Sequence, residues 1–300
     1  MKTIVTGALF ADEQDMETLR RCGLDITLHP DERQPVVHPE QYEVAICNNL
    51  FSFHDIASFS RLRYIQLTSA GCDRVPLDYI RAHNITLHTA RGVYSVPMAE
   101  HAVAGVLQLY KQSRFFLENQ TQHRWEKHRG LMELGGKTVC VVGCGSVGTA
   151  CAQRFAAFGC RVIGVDIAPR KDDAFVEIQP LPQLHNALTS ADVVILTLPL
   201  TTDTRHLFDR AAFEAIKPGA VLVNIARGAV VDTAALRWAL EAHLYGAVLD
   251  VFEEEPLSPE DPLWDHKHVI LTPHNSFVGE HNHRRMMELV LQNLSDLGEG

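Results

Sequence analysis

The stretch from Lys137 to Asp166 constrains the fold of this chain more than any other. It begins with a run of β-branched and apolar residues, 138–142, which is typical of a buried parallel strand. The motif Gly143-Cys144-Gly145-Ser146-Val147-Gly148 follows, then an alanine-rich helical pattern over 149–158 and a second apolar run that ends at the acid. This order of strand, glycine turn, helix, strand and acid predicts the nucleotide-binding half of a doubly wound α/β sheet.

Each glycine of this motif has a separate role in holding a dinucleotide. Gly143 permits the tight turn, Gly145 lets the backbone approach a pyrophosphate, and Gly148 lets the helix lie close to the strand. The helix N-terminus then faces the phosphates with free N–H groups and a partial positive charge. A glycine turn without a ligand is the alternative, but the complete context favours dinucleotide binding.

Asp166 predicts which dinucleotide is bound. An acid 18 residues beyond the last glycine accepts hydrogen bonds from the ribose 2′-hydroxyl and repels a 2′-phosphate. Arg170 and Lys171 follow closely and weaken that preference a little. We therefore expect NAD as the cofactor, with NADP less favoured.

Length, composition and charge narrow the function classes. A chain of 300 residues favours two domains, and 46% hydrophobic with 21% charged residues is typical of a soluble globular protein. The net charge of −10 argues against nucleic acid or an anionic membrane as a partner. No apolar run approaches the roughly 20 residues of a membrane span, and the first residues resemble a strand rather than a signal peptide. These features predict a cytoplasmic protein.

The cysteines and histidines show no metal-binding pattern. The seven cysteines form no C-x-x-C pair and no zinc-ligand spacing, so we expect reduced and mostly buried thiols. Cys144 lies inside the glycine turn, where we expect partial exposure. His281 and His283 lie two residues apart, and at this spacing they point to different faces of a helix, so we predict no metal site.

Strands and helices alternate along the chain, which predicts parallel sheets covered by helices. Residues Ser95 to Glu118 are expected to form one long helix between two α/β halves, and Glu280 to Leu297 a final helix. The polar, basic segment Gln120 to Gly130 carries a single aromatic residue, Trp125. This segment is either an arm that embraces a second subunit or a solvated surface segment with one packed tryptophan.

Three ionisable residues, Arg227, Glu255 and His274, lie just beyond strand patterns in the second half. Ligands of open α/β sheets bind beyond the carboxyl ends of the strands, so we expect these side chains on one rim. Arginine binds a carboxylate through two hydrogen bonds, histidine exchanges a proton near neutral pH, and an adjacent carboxylate favours the charged histidine. A surface arginine, a solvated acidic run and an ordinary histidine are the alternatives.

Several short motifs mark the strand ends and loops of this chain. They are Ser69-Ala70-Gly71-Cys72-Asp73, Met98-Ala99-Glu100, the glycine turn, Leu198-Pro199-Leu200-Thr201, Asn224-Ile225-Ala226-Arg227-Gly228, Asp250-Val251-Phe252-Glu253-Glu254-Glu255-Pro256 and Thr272-Pro273-His274. In this order, over nearly the whole chain, they resemble the D-isomer-specific 2-hydroxyacid dehydrogenase family. The resemblance implies an NAD-dependent oxidoreductase that transfers a hydride between nicotinamide and C2 of a small 2-oxo acid or D-2-hydroxy acid. The same family includes NAD-binding corepressors, so an NAD-sensing regulatory protein is the alternative.

The resemblance also implies roles for the three strand-end residues. In that family the signature arginine binds the substrate carboxylate and carbonyl, the histidine is the general acid or base, and the glutamate before proline tunes the histidine. These roles carry over to Arg227, His274 and Glu255 as catalytic residues, and the first two also contact substrate.

The loop at Ser69, Ala70 and Gly71 is the expected substrate-binding loop of the first half. The N–H groups of Ala70 and Gly71 can form an anion-binding nest for the substrate carboxylate, whereas a plain glycine turn is the alternative. The usual family motif has another glycine where Ser69 or Ala70 stands, so this loop departs from the pattern. Four residues are candidates for substrate selection: Leu50, Phe51, Tyr94 and Phe277.

The expected coenzyme contacts lie on the glycine turn, at the end of its second strand and in the later loops. They are Gly143, Gly145, Ser146, Val147, Gly148, Asp166, Thr197, Leu198, Pro199, Thr204, Ile225, Ala226, Arg227, Asp250 and His274.

The family resemblance implies two Rossmann-like, doubly wound parallel-sheet domains, with the NAD domain inserted in the substrate domain. We expect the substrate domain at residues 1–98 plus 276–300 and the NAD domain at 99–275. The family also implies a homodimer that forms through the NAD domains.

Overall fold

The computed structural model describes residues 1–295, in which the chain forms two compact α/β units. The first unit comprises Met1–Tyr94 and the chain from Gly279 onward, and the second comprises Ser95–Val278. The second unit is therefore inserted in the first. The predicted fold class, two parallel-sheet α/β domains of which one interrupts the other, is confirmed.

The strands and helices are as follows. The strands are β1 (Lys2–Thr6), β2 (Asp25–His29), β3 (Val44–Cys47), β4 (Tyr64–Leu67), β5 (Thr86–His88), β6 (Thr138–Val142), β7 (Arg161–Asp166), β8 (Glu177–Pro180), β9 (Val193–Leu196), β10 (Val221–Asn224), β11 (Gly246–Leu249) and β12 (Val269–Leu271). The helices are α1 (Glu13–Arg21), α2 (Leu50–Phe53), α3 (Leu77–Ala82), α4 (Ser95–Tyr110), α5 (Ser113–Thr121), α6 (Ser146–Ala157), α7 (Leu184–Leu188), α8 (Arg210–Ala215), α9 (Thr233–Ala242) and α10 (Asn282–Ser295).

The first unit is built on five parallel strands in the order β2-β1-β3-β4-β5. Its central strands β3 and β4 are buried along their whole length, as expected for a sheet covered by helices on both faces. The last helix, α10, contributes Met286, Met287, Val290 and Leu294 to a core that it shares with α1 and β1. The C-terminal segment therefore completes the hydrophobic core of the N-terminal unit. The end of the predicted helix, residues 296–297, lies outside the described residues.

The second unit is built on seven parallel strands in the order β12-β11-β10-β9-β6-β7-β8. Strand β6 pairs with β7 on one side and with β9 on the other, so the chain reverses its direction of winding at β6. In doubly wound sheets the ligand crevice lies beyond the carboxyl ends of the strands at this switch point. The glycine turn directly follows β6 and is placed there.

The expectation of one long helix from Ser95 to Glu118 is wrong. The chain forms two helices, α4 and α5, because Gln112 adopts a left-handed backbone conformation with φ of 53°. The side-chain amide of Gln112 donates a hydrogen bond to the hydroxyl of Tyr245, which lies far away in the sequence. This tertiary contact accompanies the break between the helices.

Two further features were absent from the sequence-based prediction or differ from it. Strand β8 was not predicted, because it is a short edge strand in which two of the four residues are polar and none is buried. Trp125 is 98% exposed, so the alternative of a packed tryptophan in the arm segment, residues 120–130, is wrong.

Within residues 1–295, no helix combines the length and apolar character that crossing a membrane requires.

The end of α6 provides a test of the core of the second unit. Phe155 is fully buried, whereas Phe158, which follows the helix, is 47% exposed. We expect Phe155→Ala to lower the free energy of unfolding by about 3–5 kcal/mol, because it removes a buried ring and leaves a cavity. Urea unfolding monitored by circular dichroism measures this loss. Phe158→Ala is the matched control and should cost less than about 1 kcal/mol; equal losses for the two variants would contradict the packing described here.

Candidate active site

The glycine turn is packed tightly against the loop that follows β9. Gly143 has a φ of 95°, and a Cβ atom at this residue would lie 2.7 Å from the backbone nitrogen of Leu198. A Cβ atom at Gly148 would lie 2.1 Å from the carbonyl oxygen of Gly143. The Thr197 hydroxyl donates a hydrogen bond of 2.6 Å to that same oxygen. Both outer glycines are therefore required by the protein's own packing.

Gly145 differs, because no protein atom lies within 4 Å of the position that its Cβ atom would take. Its φ of −72° is accessible to any residue, so neither strain nor packing requires glycine here. Gly145 is the N-cap of α6, and no side chain caps that helix. The first turn, with Ser146 and Val147, thus has the open backbone and the partial positive charge that a pyrophosphate needs. The turn fits a dinucleotide.

Asp166 ends β7 beside the glycine turn. Its carboxylate accepts hydrogen bonds from the N–H groups of Cys144, at 2.7 Å, and Ala168, at 2.9 Å. The acid is thereby positioned next to the turn, as a ribose-binding residue must be, and its contact with the coenzyme remains a prediction.

The expected partial exposure of Cys144 is wrong. Its side chain is fully buried, and its Sγ atom lies 2.5 Å from the position that a Cβ atom on Gly164 would take. The missing side chain of Gly164, on the neighbouring strand β7, provides the space for the thiol. Burial raises the pKa of Cys144 to about 12, so the reactive thiolate is disfavoured.

Arg227, Glu255 and His274 leave the sheet at one edge. They follow β10, β11 and β12, which are adjacent and parallel, with Asn224 opposite Leu249 in the pairing of the first two strands. The carboxyl ends of these strands therefore meet on the same rim of the sheet as the glycine turn.

His274 and Glu255 form a hydrogen-bonded pair. The Nδ1 atom of His274 lies 2.8 Å from Oε2 of Glu255, and both side chains are 37% exposed. The other oxygen of Glu255 accepts a hydrogen bond of 3.0 Å from the N–H of Phe252, so its own loop fixes the carboxylate. Because Nδ1 is engaged by an acceptor, we assign the hydrogen to Nδ1, which leaves Nε2 as the nitrogen for a substrate.

Asp250 holds the loop that carries His274. Its buried carboxyl group accepts hydrogen bonds from the Thr272 hydroxyl, at 2.5 Å, and from the N–H groups of Asn275, at 2.7 Å, and Ser276, at 3.0 Å. His274 itself has a φ of 51° and donates its N–H to the Asp250 carbonyl oxygen at 2.8 Å. The sequence predicted Asp250 as a coenzyme contact, which remains a prediction. It did not predict this positioning role, although Thr272 stands in the same motif as His274.

Arg227 lies in a short loop that is held by hydrogen bonds between its side chains and its backbone. Asn224 accepts a hydrogen bond from the N–H of Ala226, at 3.1 Å, and the Arg227 guanidinium donates to the Ala226 carbonyl oxygen at 2.8 Å. A Cβ atom at Gly228 would lie 1.8 Å from the carbonyl carbon of Phe252. Only glycine permits this approach, which brings the loop of Arg227 against the loop of Glu255. The predicted contacts at Ile225 and Ala226 lie buried in this loop.

Within the acidic run, Glu253 is engaged by two neighbouring loops. Its carboxylate accepts hydrogen bonds from the Thr233 N–H, at 3.0 Å, and hydroxyl, and lies 2.5 Å from Nε2 of His206. Burial alone would raise the pKa of Glu253, but the hydrogen bonds from Thr233 and His206 outweigh it and lower the pKa. The sequence did not predict the His206–Glu253 pair, since His206 lies in no motif.

The loop after β9 contains the predicted contacts Pro199 and Thr204. The Thr204 hydroxyl donates a hydrogen bond of 2.7 Å to the Pro199 carbonyl oxygen and accepts one of 2.7 Å from the N–H of Thr201. The Thr204 side chain is buried and shapes this loop, while its contact with the coenzyme remains a prediction.

In the first unit, the predicted substrate loop directly follows β4. The Ser69 hydroxyl donates a hydrogen bond of 2.9 Å to the Gly71 carbonyl oxygen, which closes the turn, and Ala70 is exposed. The Tyr94 hydroxyl donates to the carbonyl oxygen of Thr68, one residue before the loop. The loop is thus tied to the end of the first unit.

The candidates for substrate selection have different environments. Leu50 is fully buried in the core of the first unit, and Phe51 packs edge-on against Phe59 with ring centroids 5.5 Å apart. Phe277 is 40% exposed, and its ring centroid lies 6.3 Å from that of His274. Phe277 therefore lies beside the histidine of the His274–Glu255 pair.

The glycine turn at the switch point of a parallel sheet defines a dinucleotide-binding protein of the doubly wound α/β class. Residues 103–276 match the family model described as the NAD binding domain of the D-isomer specific 2-hydroxyacid dehydrogenases. The chain belongs to this family. It is accordingly an NAD-dependent oxidoreductase that acts on the CH–OH group of small 2-hydroxy acids.

Relatives along most of the chain agree with this assignment. An (S)-sulfolactate dehydrogenase from Chromohalobacter salexigens is 33% identical over 80% of this chain and 78% of its own length. A glyoxylate reductase from Korarchaeum cryptofilum is 34% identical over 78% of this chain and 72% of its own. A solved D-isomer specific 2-hydroxyacid dehydrogenase from Xanthobacter autotrophicus, in complex with NADPH and MES, is 26% identical with a TM-score of 0.79 and covers 99% of this chain and 95% of that one. None of these favours the regulatory alternative.

The contrast between the glycines yields a prediction for coenzyme binding. We expect Gly145→Ala to leave the urea midpoint unchanged but to weaken NADH binding about tenfold or more, because the new methyl group enters space that only a ligand uses. Fluorescence titration of the protein with NADH measures this affinity.

Gly148→Ala is the matched control, because its Cβ atom would meet backbone rather than open space. It should lower the urea midpoint. Unchanged NADH affinity in Gly145→Ala would show that the pyrophosphate does not approach this residue.

Proposed function

We propose that this chain interconverts a small 2-oxo acid and the corresponding D-2-hydroxy acid through Arg227, His274 and Glu255. The observation that carries the proposal is the 2.8 Å hydrogen bond between His274 and Glu255 on the rim that also bears the glycine turn. The unit from Ser95 to Val278 contains these three residues and would bind the coenzyme. The Ser69–Gly71 loop stays a candidate for binding the acid's carboxylate.

His274 is the proton donor for reduction. With Nδ1 held by Glu255, a protonated Nε2 gives its proton to the carbonyl oxygen, and the neutral imidazole takes a proton back in the oxidative direction. The carboxylate of Glu255 stabilises the imidazolium and holds the ring in one orientation. The bound nicotinamide supplies the hydride that C2 receives, so hydride and proton together account for the reduction.

Arg227 binds the substrate carboxylate. A guanidinium matches a carboxylate with two parallel hydrogen bonds, which fixes the acid's orientation as well as its position. Gly228 lets this loop approach the backbone of Phe252, in the loop that carries Glu255. Holding reactants in one geometry is a large part of the acceleration available to such a site.

The acid is small. Two relatives are named for glyoxylate and (S)-sulfolactate, and Phe277 lies edge-on to the ring of His274, where it limits the room for a long side chain. Glyoxylate, hydroxypyruvate and pyruvate with NADH are therefore the first substrates to measure.

His274→Ala should lower kcat about 10²–10⁴-fold on the best of these substrates, because it removes positioned proton transfer. Steady-state oxidation of NADH, followed by the loss of its absorbance, measures this. The matched control is His206→Ala, which removes a histidine that is also paired with a carboxylate of the same acidic run. It should change kcat by less than about tenfold.

Full kcat in His274→Ala, on a substrate that the unmodified enzyme reduces well, would remove the proton-donor role. A loss of similar size in both variants would show that the histidines act only through folding of the rim.

We also propose that the chain forms a homodimer through the arm segment. Trp125 is 98% exposed, and Leu117 on the preceding helix is 63% exposed. Asn119 is 3% exposed, and within residues 1–295 neither polar atom of its side chain has a hydrogen-bond partner. Arg124 and Lys127 make the arm basic in a chain with a net charge of −10, so a second copy offers complementary charge.

Trp125→Ser should shift the protein from dimer to monomer in sedimentation velocity, because tryptophan at the centre of an interface often dominates its affinity. Trp264→Ser is the matched control: Trp264 is 49% exposed and its indole N–H donates to the Ser258 carbonyl oxygen. This variant should remain a dimer. A monomeric unmodified protein at micromolar concentration, or an unaffected Trp125→Ser dimer, would overturn the proposal.

A cytoplasmic location is the last element of this proposal. All seven cysteines are free thiols, and four of them are buried. Free cysteines in this number suit a reducing compartment.

A further inference from the structure

An ion-paired cluster lies beside the glycine turn, in the loop after β7. The Nη2 atom of Arg170 donates a hydrogen bond of 2.6 Å to the carbonyl oxygen of Cys144, which fixes the guanidinium against the turn. The same nitrogen lies 3.0 Å from Oδ2 of Asp172 and 3.3 Å from the hydroxyl of Thr149. We call Arg170, Asp172 and Thr149 the arginine corner.

Asp172 is the fixed partner in this corner. Its side chain is 18% exposed, compared with 46% for Arg170. Besides the guanidinium, its carboxylate accepts hydrogen bonds from the N–H of Ala174, at 3.1 Å, and the hydroxyl of Thr149, at 3.2 Å. Asp172 therefore presents a carboxylate that is fixed in place to an arginine that is itself half-exposed.

Arg170 keeps donors for a ligand. All of its hydrogen bonds involve Nη2, and within residues 1–295 Nη1 and Nε make none. Two adjacent guanidinium N–H groups are the usual ligands of a phosphate, because their planar spacing matches two of its oxygens.

The corner adjoins the place where the adenine ribose is expected. The Cys144 N–H donates to Asp166, and the carbonyl oxygen of Cys144 accepts from Arg170. The acid and the arginine are therefore hydrogen-bonded to the same residue of the turn. A phosphate on the ribose hydroxyl next to Asp166 would therefore lie close to Arg170. Asp166 and Asp172 oppose such a phosphate, whereas Arg170 and the exposed Lys171 attract it.

We propose that Asp172 sets the preference for NAD over NADP by neutralising Arg170. With Asp172 in place, the ion pair has no net charge and the repulsion from Asp166 decides the preference. Without the Asp172 carboxylate, Arg170 becomes a ligand for a 2′-phosphate. The proposal rests on the adenine ribose lying at Asp166 and is independent of the roles proposed for His274 and Arg227.

The test compares two fragments of the coenzymes, 5′-AMP and 2′,5′-ADP, which differ only in the 2′-phosphate. Isothermal titration calorimetry of the full chain measures both association constants without any turnover. The ratio compared below is the association constant of 2′,5′-ADP divided by that of 5′-AMP. Asp172→Asn should raise this ratio about tenfold, because it removes a unit charge that directly contacts the guanidinium. Asp172→Ser, which keeps an oxygen for the N–H of Ala174, should do the same and serves if the asparagine variant does not fold.

Two matched controls separate the arginine from a general effect of charge. Asp173→Asn removes the same charge from the next residue, which is exposed, and should change the ratio less than about twofold. In an Arg170→Leu background, Asp172→Asn should also change the ratio less than about twofold, because the guanidinium that would bind the 2′-phosphate is absent.

Three results would overturn the proposal: no rise in the ratio with either Asp172 variant, an equal rise with Asp173→Asn, or an equal rise in the Arg170→Leu background. Failure of the unmodified chain to bind 5′-AMP would overturn it together with the placement of the ribose. Loss of substrate turnover with normal 5′-AMP binding would instead affect only the catalytic roles.

Discussion

A buried carboxyl group holds the reactive edge of the second unit together. Asp250 accepts hydrogen bonds from the hydroxyl of Thr272, which precedes His274, and from the N–H groups of Asn275 and Ser276, which follow it. Because a polar group without hydrogen bonds is costly to bury, the loop is stable only in the conformation that supplies these donors. That conformation places His274 in the left-handed region. The imidazole is therefore positioned by the buried core, although the ring itself is partly exposed.

The glycines show how one residue type meets two different requirements. At Gly143 and Gly228 a side chain would collide with the backbone of a neighbouring loop, so the protein itself requires glycine there. At Gly145 a side chain would meet no protein atom within 4 Å, so the protein's own packing does not require glycine there. The first two residues bring loops from distant parts of the sequence into contact. Gly145 instead leaves the backbone open at the N-terminus of α6.

The sequence predicted those features whose cause is local. The buried strand β6 lies where the β-branched run over 138–142 placed it, because a buried strand has its signal within a few residues. The rim also followed from sequence, since adjacent parallel strands bring their carboxyl ends to one side. Two of the errors have a distant cause. The break at Gln112 involves Tyr245, 133 residues away, and the burial of Cys144 depends on a glycine in the next strand.

Glu253 and Glu255 lie two residues apart in one acidic run but have different tasks. Glu253 is engaged on one oxygen by Thr233 and on the other by His206, and its lowered pKa keeps it ionised as a link between loops. Glu255 uses one oxygen on its own loop and offers the other to His274. A carboxylate that is fixed on one side cannot follow the imidazole, so it determines the orientation of that ring. The link made by Glu253 secures the loop from which Glu255 acts.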